Sequence, residues 1–190
     1  NMTTPNAQAL HKRANAGKED TSAGLDGWKP YELKYLPEAA WIIRARMLDL
    51  FMQEGKYPDA YYQVATPCIP KKDGGNEPLD HRLLAVFSAL YRIEAGAWFD
   101  QLLPWLQKAL HSSVIGAIPG REGAEIAWDA QAFLESSRLF GFPGALSTYD
   151  FKKYFDAFDH KFTFEMMLHV GMPEKLARLT YQLYKKHKRV

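Results

Sequence analysis

Apolar positions recur at intervals of three and four along most of this chain, the spacing of one face of a helix. "PEAAWIIRARMLDLFMQEG", residues 37–55, has this pattern, with Pro37 suited to a first helical turn and Gly55 to its end. "SALYRIEAGAWFDQLLPWLQKAL", residues 88–110, repeats it, and Pro104 predicts a kink or a new helix start. A third helix is predicted in "REGAEIAWDAQAFLESSRLFG", closed by Gly141, and a fourth in "MPEKLARLTYQLYKKHK", with Pro173 near its start. Strand signals are fewer. "YQVATPCIP", residues 62–70, is β-branched and apolar and runs into the turn "KKDGG"; "RLLAVF" is suited to the returning strand. "GALSTY" predicts a short strand leading straight into Asp150. The pattern as a whole predicts an α+β domain, rich in helix, with a small antiparallel sheet.

Composition narrows the class. With 190 residues and 47% hydrophobic content the chain is long and apolar enough for a real core. It has no run of about 18 apolar residues, so no membrane partner is expected, and the first twenty residues lack the apolar core of a signal peptide. The single cysteine, Cys68, excludes an internal disulfide and a multi-cysteine zinc site, and reads as a small buried apolar residue in a reducing, intracellular setting, cytoplasmic or nuclear. A net charge of +2 is too small to argue for nucleic acid, but the sign is uneven: Lys71 and Lys72 adjoin a glycine turn, and residues 175–190 carry six Lys or Arg and no acid. The chain starts with Asn and stops after a basic helical pattern without a capping Gly or Pro, and is expected to be a cut segment.

The chemistry is concentrated in "LSTYDFKKYFDAFDH", residues 146–160. On its own, Asp150 reads either as a cap of the following turn or as an oxygen ligand for Mg²⁺, a hard cation held by carboxylates and phosphates. Asp156 and Asp159 read as helix-start acids favoured by the macrodipole, and His160 as a polar surface residue.

"DFKKYFDAFDH" resembles the first catalytic block of reverse transcriptases of the non-LTR retrotransposon group, D-x-S-K-A-F-D. Other segments resemble that family's early blocks in order. "AGLDGWKPYELKYLP" is similar to its G-x-D-G segment, and "ATPCIPKKDGG" with "HRLLAVFSALYRI" to its P-K and R-P-I segments; "GAIPGREGAEIAWD" is similar to G-F-R-P-G-R, and "LHVGMPEKLARLTYQLY" to the helix after the first Asp. The resemblance implies the helix-rich fingers and partial palm of a right-hand polymerase: residues 1–20 as a helical or flexible lead, 21–143 as a fingers-like region and 144–190 as the start of the palm.

It also implies roles. Asp150 would be the catalytic carboxylate and a ligand of Mg²⁺ or Mn²⁺, with the backbone carbonyl of Phe151 as a further ligand. Phe155 matches the aromatic gate against a ribose 2′-hydroxyl. Arg82 matches the arginine that contacts the incoming deoxynucleoside triphosphate, since a guanidinium binds phosphate oxygens in a fork. Lys71 and Lys72 would add positive charge over phosphates or template, and Arg121 would either bind the template strand or cap its own helix. Gly24, Asp26 and Gly27 are expected to be structural or to face the template. The implied partners are an RNA template, a DNA primer and deoxynucleotides, and an exposed palm face is expected to drive association.

Departures from the family form are equally visible. Lys152 and Tyr154 replace Ser and Ala, Leu83 replaces Pro, and Ala117 and Ile118 replace Phe and Arg. No Asp-Asp pair occurs in the 190 residues, so nucleotidyl transfer is expected of a complete parent and not of this segment alone. Two other functions are consistent with the sequence, a noncatalytic nucleic-acid-binding remnant of the same fold and a helical protein-interaction module whose aromatics serve a partner.

Overall fold

The computed structural model describes residues 2–71, 77, 80–116, 118–150 and 158–190. They form two compact units, one made of residues 1–100 and 158–190 and the other of residues 101–157. These units cut across the division expected at residues 20 and 143, because residues 158–190 pack with the N-terminal hundred. The chain is helix-rich with few strands, an α+β composition.

In the first unit, α1 (Ala7–Asn15) starts at Asn6, whose side chain accepts a hydrogen bond from the Ala9 N–H at 2.9 Å, and it buries Leu10 and Ala14 one turn apart. A 3₁₀ helix, Pro30–Tyr35, leads into α2 (Glu38–Glu54). Pro37 stands just before α2, and Gly55 closes it in the left-handed conformation, φ 67°, its N–H bonded to the Phe51 carbonyl at 2.8 Å. α5 (His160–His169) is capped by Asp159, which accepts from the Phe162 N–H at 2.7 Å, so this acid stands at a helix start as expected. α6 (Glu174–Lys186) lays Leu176, Leu179 and Leu183 against the core and turns its basic residues outward.

Strands are short for a reason written in the sequence. β1 (Gln63–Val64), β2 (Cys68–Pro70) and β3 (His81–Leu83) fall in the two segments expected to form a hairpin, and β2 and β3 pair antiparallel. Pro67 and Pro70 have no N–H to give a ladder, so the pairing is interrupted, and it resumes at the bridge between Ala65 and Val86. β4 (Lys188–Arg189) was not expected: it pairs parallel with β1, Gln63 opposite Lys188 and Val64 opposite Arg189.

α3 (Ala89–Ala109) runs through Pro104 without ending. The missing Pro104 N–H leaves the Asp100 carbonyl without its helical donor, and the boundary between the compact units falls directly after Asp100. In the second unit α4 (Gly123–Phe140) closes at Gly141, φ 68°, as expected. The strand expected at 144–149 is absent; the segment is irregular and exposed. Phe142 turns back on Phe133, with ring centroids 6.1 Å apart, and the Ser137 hydroxyl donates to the Phe142 carbonyl at 2.6 Å. Gly144 lies so close to this helix end that a Cβ would come within 2.9 Å of Ser137 Oγ. The chain is thus folded onto its own helix rather than extended beside a strand partner.

The core of the first unit joins Leu10, Trp41, Leu48, Ile93, Leu179 and Leu183 with a cluster of tyrosines, Tyr57, Tyr61 and Tyr62. Into it α3 inserts a carboxylate. Glu94 is 1% exposed, and Arg44 of α2 reaches its Oε1 with Nε at 2.6 Å and Nη2 at 2.5 Å, while the same Nη2 meets the Tyr61 hydroxyl. Burial pushes Glu94 up to about 7, against the opposing pull of Arg44, and lifts the Tyr57 and Tyr61 phenols. The folded protein therefore keeps a proton that the unfolded chain releases near 4.5, and Glu94's contribution to stability declines as pH rises from 4.5 to 7. Between pH 5 and 8, the wild type is expected to lose stability relative to Glu94→Gln in urea unfolding. A stability difference independent of pH would contradict this.

Candidate functional site

The β2–β3 ribbon carries the cationic residues assigned to phosphate contacts. Ile69 stands opposite Arg82 in its register, and one step further the Lys71 N–H donates to the Asp80 carbonyl at 2.8 Å. Side chains alternate along a strand, so positions 69, 71, 80 and 82 share one face of the ribbon. The structure thereby brings Lys71 and Arg82 together as diagonal neighbours, and both are exposed. Asp80 belongs to the same face and lowers its net positive charge. Lys72 lies outside the described residues.

The ribbon continues through Val86 and Phe87 into α3, whose first turn is held by the loop that contains "GLDG". The Asp26 carboxylate accepts from the Ala89 N–H at 2.8 Å, and Arg92 Nη2 donates to the Ser22 carbonyl at 2.6 Å. Gly24 permits the approach, since a Cβ there would lie 2.7 Å from the Phe87 carbonyl oxygen. Gly27 takes a positive φ, 72°, in the same loop. Asp26 and the two glycines are thus structural parts that fix the end of the ribbon, one of the two roles expected for them.

Asp150 is exposed at the end of the irregular segment after α4 and belongs to the second unit. Phe151 and Phe155, the expected carbonyl ligand and aromatic gate, lie outside the described residues. Among the described residues no group of three or more His, Cys, Asp or Glu side chains converges to hold a metal ion.

Arg121 has a different occupation from template binding. Its guanidinium donates to the carbonyls of His111 and Val114 at 2.8 and 2.7 Å, and to those of Gln107 and Leu110 at 3.2 and 3.4 Å. Gln107 lies in the last turn of α3 and the other three follow that turn, so Arg121 ties down the end of the helix before its own rather than capping its own. Sequence reasoning also missed the Arg44–Glu94 pair. The one available signal was an acid amid Ile93, Ala97 and Trp98, and it does not name a partner fifty positions away.

No model of a known protein family matches the chain, and no curated protein matches it.

Two substitutions separate holding from contacting. Arg121→Ala is expected to destabilise the second unit by about 1–3 kcal/mol through loss of charge-assisted bonds, and Asp26→Ala the first by about 1 kcal/mol through loss of a cap. Arg82→Ala, at an exposed position, is expected to shift stability by less than about 0.5 kcal/mol. Thermal unfolding of the three variants checks the order, and an Arg121→Ala protein as stable as wild type would contradict the capping role.

Proposed function

We propose that these residues form the fingers and the first part of the palm of an RNA-directed DNA polymerase of the non-LTR retrotransposon type. The observation that carries this reading is the ordered series of segments from "AGLDG" at residues 23–27 to "LTYQLY" at residues 179–184, each similar to a block of that family in the family's order. Two features of the fold support it. The "GLDG" loop is joined by hydrogen bonds to the start of the "SALYRI" helix, and Lys71 and Arg82 share a ribbon face suited to phosphate oxygens.

In the complete parent the reaction would be metal-dependent attack of a primer 3′-oxygen on a deoxynucleoside triphosphate, with Asp150 as one carboxylate of the centre. These 190 residues contain no Asp-Asp pair and supply binding, not turnover. A second reading, a noncatalytic nucleic-acid-binding remnant, is favoured by Lys152 and Tyr154, which stand where the family form has Ser and Ala.

The test is binding of a labelled RNA–DNA primer-template at about 50 and 200 mM salt. The polymerase reading expects salt-sensitive binding that falls about tenfold in Lys71→Ala/Arg82→Ala, with a salt slope shallower by about two. Absence of binding at the lower salt, or unchanged binding in the double variant, counts against it. With Mg²⁺ present, affinity that drops in Asp150→Ala favours the catalytic parentage, and unchanged affinity favours the remnant.

A further inference from the structure

In the first unit, a cavity of about 260 Å³ opens where the end of α1 meets the first half of α3, and three cations line it: Arg13, Lys18 and Arg92. No acid is among its described lining residues. Pro30 and Ile93 give it an apolar wall, and Thr21 adds a hydroxyl. Such a volume is below that of a drug-sized pocket and suits a small anion with part of the group that carries it.

The two arginines are held in place. Arg13 lies across Gly96 of α3, where a Cβ would come within 2.2 Å of Arg13 Nε; only glycine leaves room for the side chain to lie so close to the helix. Its Nη1 is 3.4 Å from Asp100, a partly exposed pair that screens the charge without removing it. Arg92 is anchored through Nη2 to the Ser22 carbonyl, yet its Nε is buried and has no hydrogen-bond partner among the described residues. Burial draws Arg92 below the ordinary arginine value, with Asp26 acting in the opposite direction, and the Asp26 carboxylate already accepts from Ala89. A donor left without an acceptor is costly on a charged group, and the Arg92 side chain that carries it lines the cavity.

We propose that this cavity binds a phosphate group, free or carried at the end of a nucleic-acid strand, between the guanidinium groups of Arg13 and Arg92 and the ammonium of Lys18. Two guanidinium forks and one ammonium match the oxygens of a tetrahedral anion. The site does not depend on the polymerase reading, and it uses none of Lys71, Arg82 or Asp150.

The test is calorimetric titration of the 190-residue protein with inorganic phosphate and, separately, with a 5′-phosphorylated dinucleotide. Saturable binding is expected, weakened at least about tenfold in Lys18→Glu, an exposed position whose substitution leaves thermal unfolding unchanged. Arg92→Gln, where it folds, gives a similar loss. Tighter binding of the dinucleotide identifies a strand end as the source of the phosphate, and equal binding identifies free phosphate; both support the site. Neither probe binding below about 10 mM in low salt, or equal affinity in Lys18→Glu and wild type, overturns it.

Discussion

A carboxyl group in an apolar core, neutral or charged, is tolerated only with a partner held in good geometry. Glu94 meets that requirement through Arg44, which commits α2 and α3 to one register, and the Tyr61 hydroxyl brings the 3₁₀ turn at Asp59–Tyr62 into the same arrangement. Tyr57, Tyr61 and Tyr91 enclose the pair with tilted and edge contacts at centroid separations of 5.2 to 6.0 Å. Hydrophobic residues of similar volume would do as well or better for stability alone, but an ion pair accepts one alignment and rejects sliding. With α3 fixed in this way, the direction of the ribbon that leads into it is fixed too.

The segments that resemble polymerase blocks divide physically into those that join and those that reach outward. "GLDG" joins: its aspartate caps α3 and its glycine admits the Phe87 backbone. Arg121 joins as well, tying together the turn after α3. Arg82 is exposed on the ribbon, and Asp150 is exposed in the other unit. A motif match alone does not distinguish these duties. The donors and acceptors around each side chain do.

The helices were largely legible because a 3.6-residue period survives in the apolar positions of 37–55 and 172–188 even where charged residues interrupt it. The hairpin was legible from its β-branched residues and its turn, but the prolines that break its ladder set its true extent. The Lys188–Arg189 strand was not legible, since two polar residues form it, and the backbone bonds that Val190 makes with Val64 and Thr66 beside it depend on where α6 delivers the chain. "GALSTY" misled because a strand composition has no meaning without a neighbour, and Gly141 and Gly144 let the chain turn back on α4 instead. At the site, Arg82 and Lys71 could be paired from the hairpin alone. The partners of Arg121 and Glu94 are tertiary, and the sequence contains no local sign of them. α4 has the helical spacing of apolar residues, yet none of them is buried among the described residues, and Trp128 is 75% exposed.

The proposed function has the chain meet nucleic acid through the ribbon that the core aligns. Photo-crosslinking of a 5-bromouridine-substituted RNA template annealed to a DNA primer, with the modified residues mapped by mass spectrometry, tests it most directly. The account predicts adducts on residues 68–83 that are lost when excess unlabelled primer-template is added. Adducts confined to the basic residues 185–189, or spread evenly over the surface, would mean that general electrostatic attraction brings the strand to the protein, and would contradict it.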